Sequence, residues 1–161
     1  MAGAGLRVGV VQTPPLGAMI EVPAAAIGVH GLVDAVDFMS IGTNDLVQYL
    51  LAVDRNNDAL GDLYSPLHPG VLRLLAHVIG AGAQSGTPVA VCGEMAGDTR
   101  LAPLLLAIGL REFSLHPASL LELRRAIREC RLDSLRERAG KLLQARDRSA
   151  IERWLQEAVS R

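Results

Sequence analysis

The stretch FMSIGTNDLVQYLLAVDR, residues 38–55, decides the fold. An apolar run, Phe38-Met39-Ser40-Ile41, breaks at Gly42 into the polar cluster Thr43-Asn44-Asp45, and an apolar helical pattern then runs to Asp54-Arg55. A short continuous apolar run followed by a 3.6-residue period is a buried strand handing over to a helix. Asn and Asp side by side at that handover are either the caps of the helix or the start of a site.

The same unit recurs on both sides. Upstream, GAMIEV (Gly17–Val22) reads as a buried strand carrying one charge, Glu21, and Pro23 can open a helix continued by AAAIGVHGLVDAV, which Gly28 and Gly31 weaken. A further short strand is expected at Arg7–Val11. Downstream, DRNNDALGDLYSPLHPG has the turn chemistry of a loop, and a helix is expected over Gly70–Gln84. PVAVC (Pro88–Cys92) is the next strand, GEMAGD a loop, and TRLAPLLLAIG a helix closed by Gly109. Glu112–Leu115 reads as a short fourth strand, Pro117 starts a helix to about Cys130, and amphipathic helices follow near Ser134–Gln144 and Ser149–Val159.

Strands alternating with helices imply a parallel sheet covered by helices, and strands buried on both faces read as continuous apolar runs. An open doubly wound sheet and part of a (β/α)8 barrel both meet this description. In either, chemistry collects at the C-terminal ends of the strands.

Composition narrows the class. The chain has 161 residues, half of them apolar, with a net charge of -1, as expected for one globular domain. No apolar run approaches the roughly 20 residues that span a bilayer, and the N-terminus is too weak for a signal peptide. Two cysteines, Cys92 and Cys130, make no disulfide framework, so a cytoplasmic protein is expected. Residues 1–120 hold 5 Lys and Arg against 10 Asp and Glu, whereas residues 121–161 hold 11 against 7. The basic residues of that tail are interleaved with acids on helices and lack an aromatic platform, so a solvated face is expected rather than a nucleic-acid site.

The strand-end rule selects Glu21, then Asn44 and Asp45, then Cys92, Gly93 and Glu94. Two carboxylates and an amide on one rim could hold Mg²⁺, which binds through one or two carboxylates plus substrate oxygens. A helix N-terminus beside Asn44 suits a phosphate, and Arg55 could return to clamp an anion. Each has a plainer role open to it. Thr43, Asn44 or Asp45 could cap the helix, Glu21 could be an ordinary strand-end charge, Cys92 a small hydrophobe, and Arg55 a surface pair with Asp54. His30, His68, His77 and His116 are scattered, without metal-site spacing.

DFMSIGTNDLVQYLLAVDR, with GAMIEVPAAA, VCGEMAGD and LREFSL in order around it, resembles the signature of the phosphoenolpyruvate-utilising enzymes over roughly residues 17–127. Within that family it is most similar to enzyme I of the phosphotransferase system, through YLLAVDRNN, DLYSPLHPGVL and CGEMAGD in its nitrogen-related form. The resemblance implies the C-terminal half of a (β/α)8 TIM barrel with extra C-terminal helices: residues 1–161 as a partial phosphoenolpyruvate-binding domain, with 131–161 as a helical tail. It implies Mg²⁺ held by Glu21 and Asp45, the phosphate contacted by Asn44, phosphoenolpyruvate bound by Arg55, and Cys92 as the proton donor. The phosphoryl group would pass to a protein histidine, and Cys92 would protonate the enolate to pyruvate.

In the family that histidine sits in a separate domain, and no histidine here has its Gly-Gly-x-x-Ser-His context. Two further substrate arginines come from barrel strands that have no counterpart here, and a whole barrel takes about 250 residues. A fragment unable to complete phosphotransfer alone is therefore expected. Its implied partners are phosphoenolpyruvate and pyruvate, a histidine-containing phosphocarrier protein reached through the missing N-terminal domain, and a second copy in a homodimer; neither nucleic acid nor membrane is expected. The alternatives are a non-catalytic dimerisation module derived from the same domain, or a piece of a pyruvate phosphate dikinase or phosphoenolpyruvate synthase.

Overall fold

The four strands among the described residues lie side by side in the order in which they occur along the chain. In this computed structural model, which describes residues 13–61 and 63–159, they are β1 (Gly17–Ile20), β2 (Phe38–Gly42), β3 (Val89–Cys92) and β4 (Glu112–Phe113). All pairings are parallel, and the register sets Ile20 beside Ile41 and Ile41 beside Val91. The expected strand at Arg7–Val11 lies outside the described residues.

The helices are α1 (Pro23–Ile27), α2 (Thr43–Leu51), α3 (Pro69–Ser85), α4 (Glu94–Gly97), α5 (Ala102–Ala107), α6 (Leu120–Glu129), α7 (Leu132–Leu143) and α8 (Arg148–Val159). They cover one face of the sheet. Side chains alternate along a strand, so Ile20, Met39, Ile41 and Val91 share that face, and each is fully buried. They join Leu46 and Val47 of α2, Leu72 and Leu75 of α3, and Leu104 and Leu105 of α5 in one core cluster. The opposite face carries Gly17, Met19, Phe38, Ser40, Ala90 and Cys92, and among the described residues nothing covers it: Met19 is 51% and Phe38 42% exposed.

This arrangement separates the two architectures. A doubly wound sheet reverses its strand order at a switch point and carries helices on both faces. Here the order runs straight through and the helices lie on one side, so the chain forms half of a (β/α)8 barrel with additional C-terminal helices. The sequence reads as apolar on both strand faces, yet the structure buries only one.

Several elements differ from expectation for local reasons. The first helix stops at Gly28, and a 3₁₀ turn, Val29–Gly31, replaces its continuation. GEMAGD contains a single helical turn, α4, because Gly93 turns the chain there with φ of 88°. A 3₁₀ turn at Pro117–Ser119 precedes α6, where the His116 ring accepts the Ala118 N–H and holds the entry.

Two arginines tie the C-terminal helices into the fold. Arg73 of α3 donates to the Leu143 and Ala145 carbonyls at the end of α7 (3.0 and 2.7 Å), supplying partners that a helix C-terminus lacks. Arg138 of α7 pairs with Glu157 at 2.8 Å and lies 5.4 Å from the Trp154 ring centre, while the Trp154 indole donates to the Arg138 carbonyl.

Candidate functional site

Each candidate residue except Arg55, which follows α2, lies where a strand hands over to its helix. Glu21 follows β1, Thr43-Asn44-Asp45 open α2, Cys92 ends β3, and Gly93-Glu94 lead into α4. The parallel register brings these handovers to one rim, with Gly42 paired to Cys92.

None of the three polar residues opening α2 caps it: Gly42 is the cap position and no side chain there accepts a helical N–H. They reach outward instead. The Thr43 hydroxyl, buried at 1% exposure, donates to the Cys92 carbonyl at 2.7 Å. The Asn44 Oδ1 accepts the Glu94 backbone N–H at 2.9 Å. The Asp45 carboxylate meets the Arg55 guanidinium at 3.7 Å, and the Arg55 N–H donates to the Gln48 Oε1. Arg55 thus turns back to the start of α2. The capping alternative fails on all three residues.

These links bind β2 to β3 at the rim. Gly93 is required there twice over: its φ is positive, and a Cβ would sit 2.6 Å from the Thr43 hydroxyl and 2.7 Å from the Asn44 Oδ1. Gly42 makes room on the other side, where a Cβ would lie 3.1 Å from the Glu21 Oε2. The Cys92 thiol donates to the Ile41 carbonyl at 3.4 Å and lies 3.8 Å from the Met19 sulfur, on the uncovered face.

Tyr64 also belongs to this cluster, although the sequence did not single it out. Its hydroxyl donates to the Asn44 carbonyl at 3.2 Å. Burial raises its phenol above the ordinary value, Glu94 adds to that shift, Arg55 opposes it, and Asp45 adds again. The available signal was a tyrosine, one of only two, inside a loop rich in turn residues.

An open cleft of about 660 Å³ adjoins Asn44, bounded by Gly93, Glu94, Ser114, His116 and Ser119. A larger groove of about 1040 Å³ runs on the helical side between α5, α6 and α8. Its arginines Arg100 and Arg148 are paired with Asp98 and Glu152 at 2.7 Å each, and Asp98 also lines the strand-end cleft. Among the described residues no group of three or more His, Cys, Asp or Glu side chains could enclose a metal ion. Glu21 and Asp45 each follow a strand end on the same rim, and two carboxylates are the kind of donor set with which Mg²⁺ keeps substrate oxygens and water rather than a closed protein cage.

Known proteins bear on this geometry. The model of the phosphoenolpyruvate-utilising enzyme family, for its phosphoenolpyruvate-binding domain, matches residues 6–132. A phosphoenolpyruvate-protein phosphotransferase of Cupriavidus necator is 50% identical over 132 residues, which are 82% of this chain and 22% of that protein. The Haemophilus influenzae protein of the same name is 42% identical over 142 residues, 88% of this chain and 25% of its own length. The chain thus spans about a quarter or less of these relatives. Among solved structures, a citrate lyase from Burkholderia xenovorans LB400 superposes with a TM-score of 0.51 at 17% identity, covering 94% of this chain and 53% of that one, a likeness of fold alone. With the family match covering most of the chain, including every strand-end residue described above, the chain belongs to the phosphoenolpyruvate-utilising enzymes, as their phosphoenolpyruvate-binding domain.

Proposed function

We propose that this chain provides Mg²⁺-dependent phosphoenolpyruvate binding as part of a phosphoenolpyruvate-protein phosphotransferase. One observation carries the reading. The Asn44 Oδ1 is occupied by the Glu94 N–H, which fixes the amide orientation and leaves the Nδ2 hydrogens as donors at the edge of the cleft. Such N–H groups can donate to the oxygens of an anion, and α2 adds the positive end of its dipole.

Asn44 contacts the phosphate, Arg55 binds the substrate, and Glu21 with Asp45 hold Mg²⁺. When bound, the cation stabilises negative charge on the phosphate and enolate oxygens. The bond from phosphorus to the enol oxygen breaks, its electron pair stays on that oxygen, and the phosphoryl group passes to a histidine nitrogen of a separate domain. Cys92, facing the uncovered side of the sheet, gives its proton to the substrate methylene carbon, which becomes the methyl group of pyruvate; solvent returns the proton to sulfur. Thr43 fixes the Cys92 backbone while this happens.

In this reading the uncovered sheet face is the interior of a barrel whose other strands lie elsewhere in the full protein. That protein is cytoplasmic, works as a homodimer, and passes phosphate to a histidine-containing phosphocarrier. Consistent with this, no helix among the described residues is long and apolar enough to cross a membrane. The exposed Met19 and Phe38 also favour a second reading, a module that serves only to pair with another chain.

Calorimetric titration of phosphoenolpyruvate with and without Mg²⁺ tests the proposal. Metal-dependent binding that is lost in Asp45→Ala supports the site. A folded chain that binds nothing points to the pairing module.

A further inference from the structure

The start of α2 is held from outside at Asn44 and Asp45, and its middle at Gln48. Arg55, just after α2, donates its N–H to the Gln48 Oε1 and brings its guanidinium to Asp45. Tyr64, on the approach to α3, donates its hydroxyl to the Asn44 carbonyl. Both ends of the excursion between α2 and α3 therefore rest on Asn44, Asp45 and Gln48. Asn44 is fixed at two atoms, its carbonyl by Tyr64 and its Oδ1 by the Glu94 N–H.

We propose that Tyr64 is a positioning residue of the anion site, its phenolic hydrogen bond holding the first turn of α2 so that the Asn44 amide and the Arg55 guanidinium address the same ligand. This rests on the phosphoenolpyruvate-binding reading above.

The chemistry of the side chain fits the task. Beyond burial, Glu94, Arg55 and Asp45 all act on the charge of this phenol. A lysine here would compete with Arg55 for Asp45, and a carboxylate would repel the anion. A phenol donates one directed hydrogen bond and adds no charge. Its ring is half-buried, and so is braced by packing while the hydroxyl reaches the helix.

The test compares three forms of the full chain: unsubstituted, Tyr64→Phe, and p-aminophenylalanine in place of Tyr64. Phenylalanine keeps the ring and removes the donor; the amino analogue returns a neutral N–H at the same place. Phosphoenolpyruvate is titrated into each by calorimetry at saturating Mg²⁺, and the Glu94 amide resonance is followed by NMR without ligand. Tyr64→Phe should weaken binding roughly fivefold, the effect of one lost neutral hydrogen bond. It should also move the Glu94 amide upfield as Asn44 loosens, and the amino analogue should restore both.

If the unsubstituted chain binds and Tyr64→Phe binds equally well, the role of Tyr64 is overturned alone. A loss that the amino analogue does not restore overturns the donor role. No binding by the unsubstituted, folded chain overturns the phosphoenolpyruvate reading itself, and the Tyr64 assignment falls with it.

Discussion

Asn44 and Glu94 are 50 residues apart in the chain, yet the Asn44 Oδ1 accepts the Glu94 N–H at 2.9 Å. The bond joins the handover after β2 to the handover after β3, and it decides which end of the amide is free. Asn44→Asp separates these two roles. The carboxylate keeps an acceptor for the Glu94 N–H but replaces the Nδ2 donors with negative charge. Stability by urea denaturation should change by less than about 1 kcal/mol. Phosphoenolpyruvate affinity by calorimetry should fall by more than about tenfold, since a hydrogen bond to a charged group is worth about 1.5–3 kcal/mol. Unchanged affinity would remove Asn44 from the anion site.

Thr43 offers the opposite contrast, a polar residue whose role is structural. Its hydroxyl is buried and donates to the Cys92 carbonyl at 2.7 Å. Thr43→Val preserves shape and deletes the donor, leaving a strand-end carbonyl short of a partner. The expected cost is about 1–2 kcal/mol by urea denaturation. Thr43→Ser keeps the hydroxyl and should recover most of the hydrogen-bond contribution.

The fold was legible where period and punctuation agreed. Val89–Cys92 and Phe38–Gly42 are short apolar runs ending at glycine, and both are strands within one residue of expectation. α3 was equally plain, opened by Pro69 and closed by Gly86 in the left-handed region. The first helix was overextended because Gly28 and Gly31 read only as weakening it, whereas the chain breaks at Gly28 into a 3₁₀ turn. Strand ends named Glu21, Asn44, Asp45 and Cys92, since topology alone sends them to one rim. The partners of those residues were not legible. Thr43 to Cys92 spans 49 residues and Tyr64 to Asn44 spans 20, and pattern reading has no access to contacts at such separations.

Asp45 and Arg55 form an ion pair at 3.7 Å, with side chains 41% and 35% exposed. At that exposure the pair is worth only about 0–1 kcal/mol. Asp45→Asn should therefore leave the thermal midpoint nearly unchanged while abolishing the Mg²⁺ dependence of phosphoenolpyruvate binding. A large loss of stability would instead make Asp45 a structural residue. If the site acts as proposed, Mg²⁺ and Arg55 compete for this carboxylate. Arg55→Lys, which shortens the reach and loses the planar fork, should then weaken substrate binding more than metal binding.

Asp98 supplies a pH dependence whose sign is fixed. Its side chain binds the Arg100 guanidinium at 3.0 and 2.7 Å and accepts the Arg100 N–H at 2.9 Å. The side-chain hydrogen bond from Arg100 is the main cause that holds its carboxyl below the ordinary value, and partial burial opposes it. A carboxyl whose value is depressed by folding contributes stability that is fully present above the unfolded-state value. That contribution is lost as pH falls through the folded-state value, because over the window the unfolded chain binds more protons. The window therefore begins at about pH 4 and extends downward. Asp98→Asn keeps an acceptor for the Arg100 N–H but cannot titrate. Its stability should fall less steeply on acidification below about pH 4 than that of the unsubstituted chain, with the two curves parallel above about pH 6. Urea denaturation at a series of pH values measures this directly, and identical slopes below pH 4 would show that the Asp98–Arg100 contact is not maintained in solution.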